Sequence, residues 1–204
     1  MNLEKPQQNT VIPNNPYQAP TAETLPPPLL VQNAPFYIVS KKKFFALFIL
    51  TFSVYALYWF WENWSRWRDS TGEKVWPVAR ALFAIFFIHS LFDKMHTAAT
   101  ANSGQNLSKL TIPATLYIIG EIAFNGMDNF EMIGVVYLAV TVVMIGIIAW
   151  SIWQAQHQAN IATGDVEGLS NDKFTAANYV WMVLGILFWL LIIFGALQSA
   201  TTIY

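Results

Sequence analysis

Glu121 is an acid in an oily setting. It sits in Leu116-Tyr117-Ile118-Ile119-Gly120-Glu121-Ile122-Ala123-Phe124. A carboxylate well inside a membrane span costs roughly 2.5–3.5 kcal/mol on insertion scales, so its presence asks for a reason. Three reasons are open: a carboxylate that handles protons or cations, an ion pair locking two helices, or a short span from which the acid reaches the headgroups. Arg80 is the candidate partner, because a long arginine side chain can cover a difference in depth.

His89, Asp93 and His96 fall at i, i+4 and i+7, one face of a helix. Two imidazoles and a carboxylate are a set that can relay protons or bind zinc. The same residues also suit the polar end of a span, and no cysteine stands near as a further ligand, so no metal is assigned. The His-x-x-x-Asp spacing is one residue short of the membrane-acyltransferase motif, and that chemistry is not carried over. A third group is aromatic and basic. Trp59, Trp61, Trp64 and Trp67 surround Arg66 and Arg68. Such rings settle at headgroup depth and such cations attract lipid phosphate, so these six residues are the expected lipid anchors.

Other chemistry is excluded. The 204 residues include no cysteine, which removes thiol nucleophiles and disulfides. Thr163-Gly164 and Gly168 lack the lysine of a phosphate loop. The net charge is −1, which gives no basic field for nucleic acid. No catalytic constellation and no cofactor site emerge.

The elements that carry these residues read as membrane helices. Hydrophobic residues make up 55% of the chain and charged residues 11%, against about 25% charged in a typical soluble domain. Segments 132–153 and 177–198 contain no ionised side chain and no polar face. At 1.5 Å per residue each approaches the ~30 Å hydrocarbon core. Further spans are expected at 44–61, 78–95 and 112–127. The predicted fold is therefore an all-α integral membrane protein of about five spans, or four if 78–95 lies on the surface. Small residues such as Gly134, Gly146, Gly185 and Gly195 are expected to let helices approach. Segment 154–176 reads as an exposed polar connection. Residues 1–35 hold eight of the ten prolines and read as a disordered tail ahead of the membrane domain, 36–204.

Orientation follows from the basic residues. With five spans and a cytoplasmic N-terminus, seven of the eleven lysines and arginines lie inside. The four-span alternative gives the same count. Lys41-Lys42-Lys43 directly before the first span decides for the cytoplasmic N-terminus, because the inside bias is strongest there. This topology puts the segment after Arg68, including Ser70, outside.

Several fragments together resemble a family of small multi-pass bacterial inner-membrane proteins of unassigned function. They are Tyr37-x-Val39-Ser40-x-x-Lys43-Phe44, then Thr51 and Tyr55, then Tyr58-Trp59-Phe60 with Asn63-Trp64. Pro77 follows with Arg80-Ala81-Leu82-Phe83 and Leu91-Phe92, and later Gln154, Gln158, Asn160, Phe174 and Asn178. Ser53-Val54 stands where the pattern carries a glycine. The resemblance covers roughly residues 36–200 and implies a bacterial inner-membrane location, without an activity or cofactor.

The function expected from this reading is non-catalytic: a small structural or accessory module in the lipid bilayer, packing against a second copy or a membrane partner. The alternative is a small transporter or channel built on Glu121 with Arg80 and His89.

Overall fold

The computed structural model describes residues 35–130, 132 and 134–201. The expected tail, but for Pro35, lies outside them. Among the described residues the chain is all-helical: α1 (Lys41–Leu50), α2 (Tyr55–Thr71), α3 (Pro77–Leu82), α4 (Ala84–Ser103), α5 (Thr111–Gly126), α6 (Gly134–Ala162) and α7 (Ala176–Thr201). Short 3₁₀ turns follow α5 at Met127–Asn129 and precede α7 at Leu169–Asn171.

α6 is the spine. α4 and α5 pack along it, and α7 packs beside it after the loop 163–175. Two stretches are long and apolar enough to cross a membrane: Gly134–Ala162 and, within α7, Ala176–Gln198. α6 is roughly 43 Å long at 1.5 Å per residue. It runs nine residues past the expected end at 153. Segment 154–162 is therefore helix and not an exposed connection. No glycine or proline interrupts it before Gly164, and its Gln156, Gln158 and Asn160 are buried with partners.

Two predicted spans are not single helices. The segment 44–61 is divided by a turn at 51–54. Thr51 closes α1 by donating its hydroxyl to Leu47 O (2.7 Å) and opens α2 by accepting from Tyr55 N (3.1 Å). Phe52 and Ser53 take φ +53° and +65°, left-handed values that stop a helix. α2 then runs back along the incoming chain. Tyr55 faces Phe44, Tyr58 faces Tyr37, and Trp67 stacks on Phe36 at 5.5 Å. The segment 78–95 is broken at Phe83 (φ −107°, ψ 40°), which ends α3 and begins α4. Pro77 starts α3 where its missing N–H is harmless.

These turns put the ends of both helix pairs at one end of the molecule. Trp59 bonds to Gln156 near the end of α6, Asn102 at the end of α4 bonds to Ile161 O, and Gln158 bonds to Ser108 O ahead of α5. The tip of the α1–α2 hairpin meets the middle of α7. There Trp189 donates to Ile49 O at 2.8 Å, and Gly185 lies so close that a Cβ would sit 2.0 Å from Leu50 O. Gly120 plays a similar part between α5 and α6, facing Ile148. Gly146 and Gly195, expected to be packing glycines, have no neighbour within 4 Å of an added Cβ.

Candidate functional site

Segment 36–39 enters the core as extended chain, and its backbone polar groups need partners that no strand supplies. Side-chain amides supply them. Asn63 of α2 accepts from Tyr37 N at 3.0 Å, and Gln156 of α6 donates to Tyr37 O at 2.8 Å. Asn160, one turn after Gln156, donates to Val39 O (3.0 Å) and accepts from Val39 N (3.4 Å). Asn171 of the loop before α7 donates to Ile38 O at 2.7 Å. The amides also hold one another: Gln156 donates to Asn160 Oδ1 at 2.7 Å and accepts from the Trp59 indole. Asn63, Gln156 and Asn160 are fully buried, so each bond is made away from water. Gly168 closes the clamp. Its φ is +68°, and an added Cβ would lie 2.4 Å from the Val39 carbonyl.

Beside this clamp an open groove of about 790 Å³ runs between the α1–α2 hairpin, α3 and α7. Its mouth carries Tyr37, Tyr58, Lys43, Arg66 and Asn171, and toward the hairpin tip its walls carry the buried Leu47 and the exposed Val54, Leu57, Leu82 and Trp181. Lys43 is only 2% exposed and donates to Asn171 Oδ1 and Lys173 O, both at 2.6 Å. Burial holds its ammonium below the usual lysine range, against the pull of Asp172. No carboxylate is within ion-pair distance of it among the described residues. Tyr37 OH accepts from Asn171 (3.0 Å) and from Tyr55 OH (3.5 Å). Burial raises its pKa, so it keeps its proton.

The residues singled out from sequence fall in different places. Glu121 lines a second cavity of about 440 Å³ with Tyr117, Asn125 and Phe83. Arg80 is not paired with it. Its guanidinium lies 4.2 Å from the Trp64 ring and 5.2 Å from the Phe87 ring, and its charge acts on Glu73. The break at Phe83 is what separates them, since Arg80 belongs to the short α3 rather than to one long span. His89 contacts Thr115 Oγ1 at 3.3 Å and His96 contacts Gln158 Oε1 at 3.1 Å, while Asp93 is exposed. Among the described residues no three His, Asp or Glu converge as metal ligands.

The six residues expected to be lipid anchors separate too. Trp59 and Trp64 are fully buried and face protein, because α2 folds back onto the core. Trp61 is exposed. Trp67 donates to Glu73 at 2.6 Å, Arg66 pairs with Glu62 at 2.7 Å, and Arg68 pairs with Asp69 at 2.8 Å. Sequence reasoning missed the clamp as a unit. Its available signal was an i, i+4 pair of amides, Gln156 and Asn160, at the end of a charge-free helix. Tyr37, Val39, Lys43, Asn63 and Asn160, quoted above for the resemblance, converge here.

No protein family, curated protein or solved structure matches the chain.

Proposed function

We propose that the chain is a bacterial inner-membrane protein in which α5, α6 and α7 cross the bilayer, with the α1–α2 and α3–α4 pairs dipping in from the cytoplasmic face. One observation carries this reading. All ten lysines and arginines among the described residues gather at one end. Lys43 reaches Lys173 O, Arg66 lies over Tyr37, Lys94 pairs with Glu73, and Lys41 lies over Trp153 near the end of α6. Lys42, Arg68 and Lys74 stand beside these residues in sequence, Arg80 acts on Glu73, and Lys109 follows Ser108, whose carbonyl accepts from Gln158 near the end of α6. The opposite end, with the turn after α5, has no basic residue among the described ones. Such an asymmetry is what cytoplasmic retention of Lys and Arg produces.

Lengths agree with it. α1 spans about 15 Å, half of a ~30 Å hydrocarbon core. α5 must cross if α6 does, because α4 ends beside Ile161 and α6 begins at the far end.

The module is non-catalytic and acts by packing against a second copy or a membrane partner. The apolar, largely exposed surface of α7 is consistent with that role. Purified protein in liposomes is expected to move no ion or solute. Flux driven by a pH gradient and lost in Glu121→Gln would replace this reading with transport. The cavity beside Glu121 is the observation that favours that second reading.

A further inference from the structure

The groove beside the clamp holds more hydrogen-bond donors than the fold uses. Lys43 has three N–H bonds, and two are taken by Asn171 and Lys173. The Tyr37 oxygen accepts two hydrogen bonds, which leaves its own O–H unused. Arg66 engages Glu62 through Nε, which leaves the N–H bonds of its two terminal nitrogens. No aspartate or glutamate lines the groove. Asp172 acts on the Lys43 ammonium only from beyond ion-pair distance, and an anion arriving from outside would supply a contacting counter-charge. Beyond the mouth the walls are apolar but for Thr51 as far as Val54 at the hairpin tip, where Leu50 and Thr51 lie against Gly185 in the middle of α7. An anion carrying hydrocarbon fits both parts, whereas a free phosphate would fill the mouth alone.

We propose that this groove holds one anionic phospholipid, its phosphate on Lys43, Arg66 and the Tyr37 hydroxyl and an acyl chain along Leu47, Leu57 and Trp181. The inference rests on the membrane reading above, which puts the mouth at the depth of cytoplasmic headgroups. Arginine and tyrosine at such a depth suit phosphate by charge and by donor geometry.

The test uses the full chain, purified in mild detergent and stripped of lipid, with binding followed by intact-complex mass spectrometry. The probes are dioleoyl phosphatidylglycerol, dioleoyl phosphatidylcholine and inorganic phosphate. Phosphatidylglycerol is expected to bind one to one and roughly tenfold more tightly than phosphatidylcholine, whose quaternary ammonium repels Lys43 and Arg66 and offsets the phosphate charge. Inorganic phosphate should not displace it. Arg66→Gln and Tyr37→Phe should each weaken it by about the same factor. Leu57→Trp, which narrows the apolar wall without touching the donors, should weaken it as well. All three variants should keep wild-type helix content by circular dichroism. Equal binding of the two lipids, displacement by inorganic phosphate, or indifference to both Arg66→Gln and Leu57→Trp in folded protein would overturn the proposal. If no lipid binds while the same protein is inserted with Ser70 on the cytoplasmic side, the lipid site falls and the membrane reading stands. A chain that stays dissolved in buffer without detergent would remove both.

Discussion

Asn160 holds Val39 as a neighbouring strand would. Its amide donates to the Val39 carbonyl at 3.0 Å and accepts from the Val39 N–H at 3.4 Å, across 121 positions of sequence. One side chain thereby satisfies both polar groups of a buried residue and fixes the incoming chain against the end of α6.

Asn160→Ala is therefore expected to destabilise the protein by about 3 kcal/mol, since it leaves several buried groups unpaired. Asn160→Asp should do no better, because it loses the donor and buries a charge. Denaturant unfolding in detergent measures both. An alanine variant within about 0.5 kcal/mol of wild type would mean that the clamp contributes little, that figure being the size of an ordinary surface change.

Ser53 offers the opposite effect. It sits at φ +65°, and its hydroxyl is buried without a partner. Glycine adopts that backbone without strain and removes the unpaired hydroxyl. Ser53→Gly is expected to add about 1 kcal/mol of stability, the left-handed penalty for an L-residue less the added freedom of the unfolded chain. A loss of stability in the same unfolding assay would show that the hairpin turn differs from the one described.

Gly185 and Gly195 separate packing from mere spacing. A Cβ at Gly185 would sit 2.0 Å from Leu50 O, and one at Gly195 would meet nothing within 4 Å. Gly185→Ala should lower stability by about 1–3 kcal/mol through overpacking of α7 on the hairpin tip. Gly195→Ala should change it little. Equal thermal shifts for the two would contradict the contact between α1 and α7.

This pair also shows what the sequence could reveal. All-helical structure was legible, since 132–153 and 177–198 lack charge and a polar face, and α6 and α7 follow. The break at 51–54 was not, because Phe52 and Ser53 are ordinary residues held in a left-handed turn by Thr51. The glycine of the resembled pattern, absent here, was the nearest hint. Trp59 and Trp64 read as lipid anchors because tryptophan suits interfaces, and only the fold-back of α2 buries them. Arg80 and Glu121 read as a pair because 78–95 looked continuous. The loop amide Asn171 carries no local pattern, so its place in the clamp depends on tertiary contact alone.

Acid should loosen the loop before α7. Asp165 accepts from Leu169 N at 3.0 Å and Ser170 N at 2.9 Å. Burial works upward on its carboxyl, but the hydrogen bonds from Ser170, Leu169 and Gly168 outweigh it and hold the pKa below the ordinary aspartate value. Glu73 is likewise held low, by the Trp67 indole first and then by Lys94. A carboxyl lowered on folding stabilises the fold above its ordinary pKa, and that contribution is lost as the pH falls through the lowered value. Melting temperature should fall between about pH 5 and about pH 3, and by less in Asp165→Asn with Glu73→Gln than in wild type. An unchanged slope in the double variant would refute the assignment.

The placement of both helix pairs on one side of the membrane is tested most directly by single-cysteine labelling, which the cysteine-free chain permits without further change. Ser70→Cys and Asn129→Cys are treated in cells whose outer membrane alone is permeabilised, with a maleimide that cannot cross the inner one. Asn129→Cys should label at once, and Ser70→Cys only after the inner membrane is opened. Immediate labelling of Ser70→Cys would contradict the account and restore an arrangement of five separate spans.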